Sequence, residues 1–150
     1  MQVIVSTPHP KPELAGEDLP SDLALLRDVA HTVRDADKLD IFRVLENLVA
    51  TTDWRRDRTA FWNLSPDDGP NPEVVKAIAE RRPVDYQHIR SLADFVLIQV
   101  GWMVSGLYFR TSRRICRDRG HLAFRRRFLG EIGAGKAADE VCDLAARSLG

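Results

Sequence analysis

The segment "VRDADKLDIFRVLENL" (residues 33–48) reads as amphipathic helix except at Asp37, which stands where the period calls for an apolar side chain. With a helix turning about 100° per residue, Leu26, Ala30, Val33, Ile41, Val44 and Leu48 all fall within about 40° of Asp37. This places the carboxylate at the centre of the face expected to be buried. Asp35 points nearly the opposite way, and Asp40 sits at the edge of the stripe. A buried carboxylate without a partner is costly or stays protonated. Two cationic partners answer that cost: an arginine from another helix, or a metal ion. Periodicity does not separate them. Asp40, one turn on, either lines the same pocket or pairs at the surface with Lys38 or Arg43.

A second chemistry-bearing group is Arg110, Arg113, Arg114, Arg117, Arg119, Arg125, Arg126 and Arg127, interrupted by a single acid, Asp118. The guanidinium fork matches phosphate oxygens two at a time, so this run reads either as a phosphate-binding face or as a solvated surface. Nucleic acid is the weaker reading, because the aromatic residues there, Phe124 and Phe128, look like core anchors rather than stacking platforms. Trp54, Phe61, Trp62 and Trp102 likewise read as packing anchors. Cys116 and Cys142 have no partner spacing for zinc or for a disulfide framework. "GEIGAGKA" (130–137) lacks the order of a phosphate-binding loop.

These residues need helices to position them. Pro8, Pro10, Pro12 and Pro20 make residues 1–20 an extended arm, with Val3–Val5 the one hint of a strand. "PSDLALL" supplies a helix start at Ser21 or Asp22, and the apolar period then runs to about Ala50. Residues 51–70 read as loop, ending in the turn cluster "SPDDGPNP". Asn71 caps a short helix with Pro72 at its first position, and Pro83 stops it. Ser91 caps the apolar run "LADFVLIQVGWMVSGLYF" (92–109), whose Asp94, Gln99 and two glycines favour a buried core helix over a membrane span. Thr111 or Ser112 opens the next helix and Gly120 ends it. "AGKAADEVCDLAARSLG" is a last amphipathic helix. The expectation is an all-α helical bundle over 21–150 behind an arm at 1–20.

Bulk numbers set limits. The 22 basic and 22 acidic side chains cancel, but residues 1–80 hold 9 Lys/Arg against 15 Asp/Glu and residues 81–150 hold 13 against 7. Such a dipolar chain suits self-association or an anionic ligand more than general nucleic-acid binding. The two free thiols and the lack of a signal-like start imply a cytoplasmic protein with no membrane partner.

"RDADKLDIFRV" resembles the last motif of the HD-domain superfamily of metal-dependent phosphohydrolases, and the short form of that motif is matched at Ala36-Asp37-Lys38-Leu39. "LADFVLIQVGWMVSGLYF" followed by "TSRRICRDRGHL" is similar in order and spacing to the continuation of a bacterial HD subfamily. The resemblance spans roughly residues 20–130 and implies an all-α fold like the C-terminal portion of an HD domain. It makes Asp37 a metal ligand and places Lys38, Asp40, Arg110 and Arg113 near a phosphorylated small molecule. The divalent metal of the relatives needs further ligands from an early His and a His-Asp dipeptide. His9, His31, His88 and His121 are followed by Pro, Thr, Ile and Leu, so that dipeptide is absent. His9 lies in the arm, His31 points about 120° from Asp37, and His88 and His121 read as exposed or capping. Ser105 stands where relatives carry an acid. A hydrolytic site uses its imidazoles to hold the metal that acidifies the attacking water, so this chain is expected to bind no metal and to be inactive as given. The alternatives are a non-catalytic helical protein-interaction module and, less favoured, a basic nucleic-acid binder. Removing the preceding helices would uncover the Leu26–Val33–Ile41–Val44–Leu48 stripe, from which a homo-oligomer is expected.

Overall fold

In the computed structural model, residues 21–150 are described, and the arm at 1–20, with His9 and Val3–Val5, lies outside the described residues. Six α-helices follow one another: α1 Ser21–Thr51, α2 Pro72–Ala79, α3 Leu92–Gly101, α4 Arg110–Asp118, α5 His121–Glu131 and α6 Gly135–Leu149. Short 3₁₀ turns lie at Thr59–Phe61 and Tyr86–His88, and a π-helical turn, Trp102–Gly106, extends α3. Among the described residues there is no strand, only a single bridge between Ser65 and Ser91. The protein is all-α, as the sequence implies.

Helix α3 is the axis of the bundle. Eight of its ten residues are buried, Asp94 and Gln99 among them, which is what a helix apolar on all sides requires. Its start is fixed locally. Ser91 and Asp94 form a capping box, and Asp94 also accepts the Asn71 N–H at 2.6 Å and the Arg90 N–H at 3.0 Å. One carboxylate therefore ties the α3 start to the α2 start, where Asn71 caps the Glu73 N–H. Helix α6 packs on α2, α3, α4, α5 and the π-turn, while α1 touches α4 and α5. No helix among the described residues is long and apolar enough to cross a membrane. The 92–109 run is divided instead between α3, the π-turn and the extended Leu107–Phe109.

Three local expectations are corrected. Helix α4 starts at Arg110 rather than at Thr111 or Ser112, with Phe109 as a cap that offers no side-chain acceptor. Gly120 does end α4, but at φ 71° it also opens α5, a helix the sequence pattern left unassigned. A left-handed residue between helices suits glycine because it carries no Cβ. Phe61 is buried, and Trp54 and Trp102 are partly buried, as packing anchors should be. Trp62 remains 46% exposed, its ring tilted against Phe95 at 4.7 Å.

Candidate functional site

Helix α1 is 31 residues long, and it meets the bundle along one side only. Its fully buried side chains are Asp35, Phe42 and Leu45. Glu46 and Val49 share that side, with Val49 packed against the core. The stripe centred on Asp37 points the other way. Leu26 is 63% exposed and Val33 62% exposed. Ala30, Asp37, Asp40 and Val44 are exposed too, while Ile41 and Leu48 are half-buried. The sequence reading of which face is buried is therefore corrected by about a third of a turn. The reason is that α1 carries two apolar stripes, and Phe42–Leu45–Val49 faces the core along its length while the Asp37 stripe reaches it only at Leu48.

The buried carboxylate belongs to Asp35. It accepts from the Tyr108 N–H at 3.0 and 3.1 Å and from the Phe109 N–H at 3.0 Å. These donors belong to the N-cap residue of α4 and the residue before it, next to the helix end where partial positive charge gathers. Asp35 thus anchors the entry to α4 from 73 residues away. Around it, the His31 ring stacks on Tyr108 at 3.8 Å and 5°. The Lys38 ammonium lies 5.6 Å from that ring's centre and the Arg34 guanidinium 5.7 Å. Lys38 is half-buried. Burial pushes its pKa below the ordinary lysine value, Arg34 adds to that effect, and Asp35 and Asp37 oppose it. The Tyr86 hydroxyl is raised chiefly by partial burial, with Arg34 opposing and Asp37 contributing. Lys38 and Tyr86 thus both feel the charges of Arg34 and Asp37.

Arg110 and Arg113 flank the same junction. Arg110 is exposed, whereas the Arg113 guanidinium donates to the Leu107 carbonyl at 3.0 Å. Asp35 already places a negative charge just before the N-terminus of α4. Elsewhere in the arginine run, Arg117 donates to the Gly150 carbonyl at 2.6 Å, Arg126 pairs with Asp143, and Arg127 approaches Glu131. Much of the run is spent on internal contacts.

The buried carboxylate–arginine pair expected at Asp37 occurs nine residues later in the chain, on the inward side. The Glu46 carboxylate accepts from Arg125 at 2.8 Å and bonds the His121 Nδ1 at 2.6 Å. Arg125, fully buried, also donates to the Gln99 Oε1, the Phe42 carbonyl and the His121 carbonyl. Burial lowers the Arg125 pKa, and its bond to Glu46 opposes that shift. The Gln99 Nε2 has no hydrogen-bond partner among the described residues. His121 is 2% exposed and bonds Glu46, so it is neither the exposed nor the capping residue expected from its place at a helix start. Nearby Cys116 is buried, and burial lifts its thiol to about 12, so it is no nucleophile.

Among the described residues, no three His, Cys, Asp or Glu side chains are grouped to hold a metal ion. In the sequence pattern Asp35 points away from the face expected to be buried, His121 reads as exposed or capping, Arg125 is one of a run of arginines, and Glu46 has no role. The available signal was the Asp35–Phe42–Leu45–Glu46–Val49 spacing, an inward face with a carboxylate near each end. No family model, curated protein or solved structure matches the chain.

Proposed function

We propose that the chain is an HD-type domain portion, related to metal-dependent phosphohydrolases, that has no hydrolytic activity of its own. The observation that supports this reading is the meeting of its two motif segments. "RDADKLD" and "GWMVSGLYF" are far apart in sequence, yet Asp35 bonds the Tyr108 and Phe109 backbone, and Lys38 lies over Tyr108. In this arrangement Asp37 stands beside that junction, open to an incoming group rather than closed into the core. As a metal ligand it would contribute one carboxylate oxygen. A divalent transition metal needs nitrogen or several further oxygen ligands for useful affinity, and the described residues offer no such set. Binding of a phosphate ester through Lys38 and Arg110 has less support, because the Asp35 carboxylate sits beside the adjoining helix start and Arg113 is engaged by Leu107.

The test is a phosphate-release assay on the purified full chain with Mn²⁺, using p-nitrophenyl phosphate and a deoxynucleoside triphosphate, paired with elemental analysis after gel filtration. The expected result is no release above buffer and no stoichiometric metal. Turnover that Asp37→Ala abolishes, with about one metal per chain, would overturn the inactive reading and make Asp37 a working ligand. A second reading, a helical interaction module, is favoured by the exposed apolar stripe of α1.

A further inference from the structure

The outward face of α1 has a pattern that selects its occupant. Leu26, Ala30, Val33, Asp37, Asp40 and Val44 are all exposed, and they follow one another at spacings of four, three, four, three and four. That alternation is the seam of a coiled coil. The seam extends for about 27 Å at 1.5 Å per residue, and Leu23 and Val29 widen it at its start, 48% and 51% exposed. Two of its central positions are carboxylates, and neither Asp37 nor Asp40 forms a salt bridge among the described residues.

A second copy fits this seam poorly. Paired in parallel, Asp37 and Asp40 would each meet their own like. Paired antiparallel over the full length, Leu26 would meet Val44, but Val33 would meet Asp37 and Ala30 would meet Asp40, stranding four carboxylates against apolar groups. An antiparallel pair limited to Leu23–Val33 avoids the acids but spans only about 15 Å, short of the area of roughly 1,200 Å² or more that stable interfaces bury. A membrane surface is disfavoured as well, since the carboxylates fall inside the apolar face and lipid headgroups are commonly anionic. What satisfies every position is a helix with apolar residues at the ends of its seam and Arg or Lys at the two central positions.

We propose that the outward face of α1 is a docking surface for a basic amphipathic helix of a partner protein, read in heptad register, with Asp37 and Asp40 as the specificity positions. Charged residues at seam positions cost stability but discriminate among partners, because a mismatched helix leaves them unpaired or opposed by like charge. This inference rests on the geometry of α1 alone and stands whether or not the chain descends from a hydrolase.

The probes are two synthetic four-heptad peptides, identical except for Arg or Glu at the two seam positions that meet Asp37 and Asp40. Their binding to the full chain is followed by fluorescence anisotropy, with circular dichroism confirming that each variant is folded. The Arg peptide is expected to bind at least about tenfold more tightly than the Glu peptide. The order should reverse for the variant Asp37→Lys/Asp40→Lys, and Val33→Glu should weaken both. Equal affinity for the two peptides overturns the proposal, as does absence of binding at about 100 μM. A dimer by sedimentation velocity that Val33→Glu dissolves also overturns it, and assigns the face to a second copy.

Discussion

Replacing Asp35 by alanine removes the acceptor for the Tyr108 and Phe109 N–H groups, three contacts of 3.0–3.1 Å made from a side chain 2% exposed. Hydrogen bonds to a charged group contribute about 1.5–3 kcal/mol, and a carboxylate at a helix N-terminus adds about 0.3–1 kcal/mol. Tyr108 is 43% exposed, so water recovers part of its loss. The net cost comes to about 2–3 kcal/mol, or roughly 5–10 °C in Tm for a chain of this size. Asp35→Asn keeps one oxygen and loses the charge, so it should fall between the wild type and Asp35→Ala. Asp37→Ala is the paired control. Its carboxylate is exposed on the same helix, and alanine has the higher helix propensity, so the change should lie within about 0.5 kcal/mol of zero. Urea denaturation followed by far-UV circular dichroism measures all three on one scale. If Asp37→Ala costs about 2 kcal/mol or more while Asp35→Ala costs under about 0.5, the inward and outward faces of α1 are assigned the wrong way round.

Glu46→Ala strands a fully buried arginine and should cost about 3 kcal/mol. Because Arg125→Met removes the stranded charge, the double variant should be more stable than the sum of the singles by at least about 1 kcal/mol in a double-mutant cycle. Both thiols are buried, so Cys116 and Cys142 should be silent to a disulfide-exchange reagent in the native chain and both react in 6 M guanidinium, a count read from absorbance. The Cys116 thiol is raised from 9.0 to about 12, so its share of stability is complete below pH 9 and is lost as pH rises towards 12. Cys116→Ala should flatten the fall in urea midpoint above pH 9, and an unchanged slope would contradict that burial.

The all-α class and most helix boundaries were legible because they depend on local signals: Asn71 and Ser91 as caps, the turn cluster before Pro72, Gly120 between helices. Local signals failed where a partner from elsewhere in the chain decided the outcome. Helix α4 begins at Arg110, just after the two N–H groups that Asp35 holds from across the fold, which no residue near Thr111 records. The face of α1 was misassigned for a related reason. Both of its stripes carry apolar residues and a carboxylate, so the period fixes the helix but not the side the bundle covers. The choice fell to Phe42 and Leu45, whose burial is worth about 1.5–3 kcal/mol each, against Leu26 and Val33, which meet no core. Arg125 was legible only as one of eight arginines. Its burial follows from acceptors on α1 and α3, Glu46 and Gln99, that come together only after folding.

Helix α1 turns Asp37, Leu26 and Val33 outward, away from the core. Single cysteines report on this directly, since the two native thiols are buried and serve as protected internal controls. Leu26→Cys, Val33→Cys and Asp37→Cys are each treated with a maleimide under native conditions and the modified site is mapped by mass spectrometry. All three are expected to react at rates close to that of a free thiol, while Cys116 and Cys142 stay unmodified. Protection of Val33→Cys and Asp37→Cys to the level of Cys116, in a chain shown to be monomeric and folded, would contradict that orientation.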